Sequence, residues 1–157
     1  KIYNALINKF LIKNKCKIIF EPGRSIIGNA GILISKVIYI KKNKNKSFVI
    51  LDAAMNDLMR PALYGAKHQI VPSKKNKKIT NKIFEFVGPI CESTDKFLTT
   101  KKFQNIREGE LIIICDVGAY GMSLSSNYNV RTLPAEILVK NSKMQVIKSR
   151  QKLSDII

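Results

Sequence analysis

The chain has 157 residues, of which 45% are hydrophobic: enough apolar material for one domain with a packed core, and too much for a disordered chain. No run of 18 apolar residues occurs, which argues against a membrane-spanning helix, and the first ten residues show neither the h-region nor the cleavage site of a signal peptide. The net charge is +17, but only five of the 28 basic residues are arginine, and many lysines fall in Lys/Asn stretches such as 41–46 and 74–78; these read as solvated loops and, with the abundance of Ile and Asn, as a coding bias toward AT-rich codons rather than a phosphate-binding surface.

Tyr3, Leu6, Ile7, Phe10 and Leu11 recur at helical spacing and predict an amphipathic first helix, closed by the basic stretch from Lys13 to Lys17. Lys17–Phe20 then reads as a short buried strand that ends abruptly in Glu21-Pro22-Gly23-Arg24. Helix, strand and polar turn look like the last unit of a parallel α/β array. From there the pattern changes. Strands are expected at Gly31–Ile40 and Ser47–Leu51, joined by the 41–46 loop. One or two helical turns are expected at Met55–Arg60, stopped by Pro61. Gln69–Val71, Ile83–Val87, Leu111–Cys115, Glu136–Val139 and Met144–Ile147 complete the strands, with turns at Gly88-Pro89, Glu108-Gly109 and Asn141-Ser142. Short strands without long intervening helices predict a mainly β fold, an antiparallel barrel or sandwich at 29–157, after the end of a β/α barrel at 1–28. A lone helix and strand cannot bury their own faces, and the first residue is not Met. Together these suggest a piece of a longer chain. Three cysteines with no C-x-x-C spacing and a single His give neither a disulfide framework nor a metal site, and they fit a reducing cytoplasm.

Four stretches carry candidate chemistry. At the strand end, Glu21 could face a cationic ring nitrogen while Gly23 and Arg24 hold an anion; the plainer reading is a Pro-Gly turn with solvated charges. Cys91 beside Glu92, in a Gly/Pro-led loop, is either an acid–base pair or a small hydrophobe next to a surface charge. Tyr120 lies between two glycines on a tight turn, as a ligand contact or as an exposed hairpin residue. Arg60 and Tyr64, four apart, could share a face and clamp a carboxylate, or could simply stack at the surface.

The order and spacing of these stretches resemble the fold-type III pyridoxal-phosphate decarboxylases, and within them the diaminopimelate decarboxylases. The matching segments are EPGRSIIGNAG (Glu21–Gly31), LDAAMNDLMRPALYGAKH (Leu51–His68), VGPICESTD (Val87–Asp95) and CDVGAYGMSLSSNYNVRTLPAE (Cys115–Glu136). The resemblance implies a two-domain enzyme, with an N-terminal β/α barrel and a C-terminal β domain, that uses pyridoxal 5′-phosphate to convert meso-diaminopimelate to L-lysine and CO2, the last step of lysine biosynthesis. By the same resemblance, Glu21, Pro22, Gly23, Arg24 and Tyr120 bind the cofactor, and Arg24, Arg60, Tyr64, Glu92 and Tyr120 bind the substrate. Cys91 is implied to reprotonate the α-carbon, from a loop that projects into the site of a homodimer partner. Asn56, Asp57 and Asn127 are expected to set turns, His68 to pack, and Arg131–Glu136 to thread the β domain back toward the barrel. The lysine that carries the cofactor in this family sits on an early barrel strand and has no counterpart here, so the chain by itself is expected to be inactive. An arginine or ornithine decarboxylase is the nearest alternative. A basic β domain that binds nucleic acid is the alternative of another class, disfavoured because no aromatic-rich basic strand pair is present.

Overall fold

The computed structural model describes residues 2–74, 79–101 and 103–157. The lysine-rich run at 74–78 therefore lies, apart from Lys74, outside the described residues. The first helix, α1 (Ile2–Asn14), forms as expected, but none of its residues is buried. A single turn of helix, α2 (Arg24–Ile27), follows. Strands β1 (Leu33–Lys42) and β2 (Lys46–Leu51) form a hairpin across the short Lys/Asn turn, closed where Asn43 N donates to Lys46 O at 2.8 Å. A third short helix, α3 (Arg60–Tyr64), precedes β3 (Ile70–Pro72), β4 (Ile83–Val87), β5 (Lys96–Lys101) and β6 (Leu111–Ile114). The hairpin β7 (Glu136–Lys140) and β8 (Lys143–Lys148) follows, and a short 3-10 turn at Leu153–Asp155 comes after it.

The first six strands form one sheet in the order β3-β6-β1-β2-β4-β5. Alternation drives it: Ser47, Val49 and Leu51 of β2 and Phe84 and Phe86 of β4 point inward, with their neighbours half-exposed. Ile70, from one edge strand, and Phe97, from the other, belong to a single core with Val37, Val49, Leu51 and Phe86. The sheet therefore curls toward closure around one interior. Phe103 seals that interior, with its ring centroid 4.9 Å from Phe86 and 5.8 Å from Phe84. The fold is mainly β and nearly barrel-shaped. The β7–β8 turn has Asn141 and Ser142 both in the left-handed region, at φ 49° and 61°, as a two-residue hairpin requires.

Four expectations are corrected. Lys17–Phe20 is not a strand: Ile19 and Phe20 are exposed, and no described strand pairs with the segment. The turns at 55–57 do not continue as helix; α3 begins at Arg60 instead, with Pro61 in its first turn, where the missing N–H has no intrahelical partner to lose. The proline thus starts a helix rather than stopping one. Strand β5 was not expected. The sheet is also not purely antiparallel, because β2 and β4 run parallel. The chain between them, through α3 and β3, is long enough to return to the same end of the sheet.

Candidate active site

Two open clefts adjoin at the end of the sheet where β6 stops. One, of about 760 Å³, is lined by Glu21, Gly23, Arg24, Asn29, Asp116 and Tyr120, among others. The second, of about 660 Å³, is lined by Arg24, Arg60, Tyr64, Ala66, Tyr120 and Leu124. Arg24, Arg60 and Tyr120 line both. Close backbone contact brings their segments together: Gly118 N donates to Gly28 O at 2.9 Å, and Val117 N to Gly31 O at 3.0 Å. A Cβ at Gly118 would lie 2.0 Å from Ile27 O, so only glycine permits this approach.

Tyr120 sits at φ 58°, in the left-handed region that non-glycine residues rarely occupy. That conformation lays its hydroxyl against Gly23, 3.8 Å from where a side chain there would begin. The Arg60 guanidinium carbon lies 5.8 Å from the centre of the Tyr120 ring. Buried His68 links the exit of α3 to the end of β6: its Nδ1 donates to Cys115 O at 2.9 Å, while Cys115 N donates to Gln69 O at 2.9 Å. Glu21, Gly23, Arg24, Arg60, Tyr64 and Tyr120 are thus gathered around one place, and Pro22 lines neither cleft.

Cys91 and Glu92 also line neither cleft; both are exposed on the 88–95 loop. Asp95, only 3% exposed, ties that loop down. Its Oδ2 accepts from Ile90 N at 2.8 Å, its Oδ1 from Met55 N at 2.7 Å, and its backbone oxygen from Gly88 N at 3.0 Å. Burial pushes the Asp95 carboxyl above the usual carboxylate value, against the opposing pull of those backbone bonds and of Arg131. Asp57 is shifted the same way, again mainly by burial. Its carboxylate accepts from Ala54 N at 2.9 Å and lies 3.7 Å from Arg131 Nη2. Arg131 also donates from Nε to Asn56 Oδ1 at 2.9 Å and from Nη2 to Asp52 O. Glu92 is held in turn by the Tyr128 hydroxyl, which donates to its Oε1.

Sequence reasoning missed Asp95, Tyr128 and Arg131 as site-building residues. Each lies inside a matching segment, but the partners are far off in sequence: 36 positions separate Tyr128 from Glu92 and 40 separate Asp95 from Met55. Asp57 does set a turn, as expected, by accepting from Ala54 N, whereas the Asn56 side chain reaches Ser126 O instead; both residues also receive Arg131.

The model of the pyridoxal-dependent decarboxylase C-terminal sheet domain matches residues 3–118. The chain belongs to this family. Among the pyridoxal-dependent decarboxylases, it is 44% identical over 152 residues to diaminopimelate decarboxylase of Aquifex aeolicus, an alignment that covers 95% of this chain and 36% of that relative. The crystal structure of diaminopimelate decarboxylase from Helicobacter pylori complexed with L-lysine superposes with a TM-score of 0.84 at 42% identity, covering 99% of this chain and 39% of that one. The M. jannaschii diaminopimelate decarboxylase in co-complex with L-lysine gives 0.86 at 37% identity, covering 98% and 36%. The chain spans little more than a third of the length of the decarboxylases it matches.

Proposed function

We propose that this chain supplies the C-terminal part of a pyridoxal-phosphate-dependent site that converts meso-2,6-diaminopimelate to L-lysine and CO2, the closing step of lysine biosynthesis, in a cytoplasmic homodimer. The observation that carries this reading is the convergence of two guanidinium groups, Arg24 and Arg60, with Glu21, Tyr64 and Tyr120 on two adjoining clefts. The donor set fits the cofactor. Glu21 offers a carboxylate to a protonated ring nitrogen. Gly23 leaves room for a phosphate and Arg24 supplies its countercharge, while the Tyr120 hydroxyl lies against Gly23. When bound, the ring draws off the electron pair released as CO2 departs.

Arg60 and Tyr64 bind the distal carboxylate of the substrate, a group that ornithine lacks. A site built for that carboxylate discriminates strongly, because a substrate without it leaves a guanidinium unpaired. Glu92 takes the distal ammonium, and the Cys91 thiol delivers a proton to the carbon that has lost CO2. Both residues stand outside the clefts of their own chain, which supports their supply to the site of a second copy. Among the described residues, no helix is long and apolar enough to cross a membrane.

The test is a substrate panel on the intact enzyme loaded with cofactor. meso-Diaminopimelate should exceed ornithine and arginine in kcat/KM by 10²-fold or more, roughly the value of a buried polar contact left unmade. Preference for a substrate with no distal carboxylate would overturn the roles of Arg60 and Tyr64.

A further inference from the structure

Glu92 lies on an exposed loop, where a carboxylate is ordinarily free to turn. Here it is clamped from both sides. The Tyr128 hydroxyl donates to Oε1, and the Thr94 hydroxyl donates to Oε2 at 3.4 Å. Tyr128 does not reach this position by relaxed geometry. The two residues after it, Asn129 and Val130, are in the left-handed region at φ 60° and 54°. For a β-branched residue such as Val130 that conformation is a genuine outlier, maintained only where the surroundings over-determine it.

The surroundings do so. Asn56 takes Ser126 from both sides: Ser126 N donates to Asn56 O at 3.0 Å, and Asn56 Nδ2 donates to Ser126 O at 3.1 Å. Asn127 Nδ2 donates to Arg131 O at 2.9 Å, and Arg131 is itself fastened to Asn56 and Asp57. The strained turn is therefore pinned at both ends, with Tyr128 directed between them at Glu92.

We propose that Tyr128 is a positioning residue that sets substrate specificity, holding the Glu92 carboxylate in the one orientation that receives the ammonium at the far end of the substrate. This rests on the role given to Glu92 above. A carboxylate that accepts one hydrogen bond at each oxygen keeps further lone pairs for an ammonium, so the clamp and the substrate bind together rather than compete. The ammonium is distant from the bond that breaks, so losing the clamp weakens binding and leaves the chemical step alone.

The experiment compares Tyr128→Phe and Glu92→Gln in the intact holoenzyme, with meso-diaminopimelate and with 2-aminopimelate, which keeps both carboxylates but lacks the distal amine. Tyr128→Phe should raise KM for meso-diaminopimelate about ten-fold, the usual worth of a hydrogen bond to a charged group, with kcat retained and KM for 2-aminopimelate unchanged. Glu92→Gln should do the same more strongly. An unaltered preference in Tyr128→Phe, with a clear loss in Glu92→Gln, overturns the positioning role while leaving the site reading intact. An equal loss on both substrates marks a structural role only and overturns it as well. Silence in both variants overturns the assignment of Glu92, and the proposal with it.

Discussion

Asp95 is nearly sealed from water, and both of its carboxylate oxygens are occupied by backbone N–H groups, one from its own loop and one from Met55. Burial nevertheless dominates its titration and that of Asp57, so the folded chain holds these two protons more tightly than the unfolded chain does. Stability from a carboxyl with a raised pKa is complete below its unfolded value of 3.8 and is lost as the pH climbs through the raised value. Asn at position 95 cannot titrate, and it can accept only one of the two side-chain bonds, because its amide nitrogen meets the other N–H donor head-on. Asp95→Asn should therefore destabilise the protein by about 1–3 kcal/mol. The advantage of the wild type should be widest in acid and shrink as the pH rises, as measured by urea unfolding over a pH series. An advantage that grew with pH would mean that the buried anion is the favoured form.

Between elements, the decisive contact is the crossing of the α2 segment with the turn after β6, where Gly118 meets Gly28 and Ile27. One added methyl has no room there and must push the Glu21–Arg24 segment away from Tyr120; overpacking of this kind costs about 1–3 kcal/mol. Gly118→Ala in the intact enzyme should weaken retention of pyridoxal phosphate by roughly ten-fold, read from the cofactor's absorbance in a titration. Cofactor affinity equal to wild type would show that the crossing does not shape the site. The sequence carried this much because Glu21, Arg24, Arg60, Tyr64 and Tyr120 belong to segments whose residue types and order are themselves diagnostic. What it did not carry depends on partners. The Lys17–Phe20 run is apolar and β-branched, but no described strand lies beside it to pair with. Strand β5 was hidden between lysines, although Phe97 to Thr100 is strand-forming material, and it is strand because β4 lies next to it. Pro61 reads locally as a stop, whereas its effect depends on which end of the helix it occupies. Asp95, Arg131 and Tyr128 act through contacts that only the folded sheet creates.

At the scale of the whole molecule, the candidate residues fall into two groups that one chain does not unite. Glu21, Arg24, Arg60, Tyr64 and Tyr120 share the clefts, while Cys91 and Glu92 stand outside them on a loop fastened by Asp95. If a two-fold axis brings the loop of one copy to the clefts of the other, each site draws on both chains, and defects in the two groups complement each other. Cys91→Ala alone should slow decarboxylation by roughly 10²–10⁴, the usual contribution of a positioned proton donor, while Arg60→Ala alone should cripple binding. When the two inactive variants are mixed and allowed to exchange subunits, half the dimers become hybrids. Each hybrid holds one site with both defects and one with neither, so activity should recover to about a quarter of the wild-type value. Recovery should follow subunit exchange in time and vanish when exchange is blocked by cross-linking. No recovery, with hybrids demonstrated by native mass spectrometry, would place Cys91 in the site of its own chain and require the 88–95 loop to move toward the clefts.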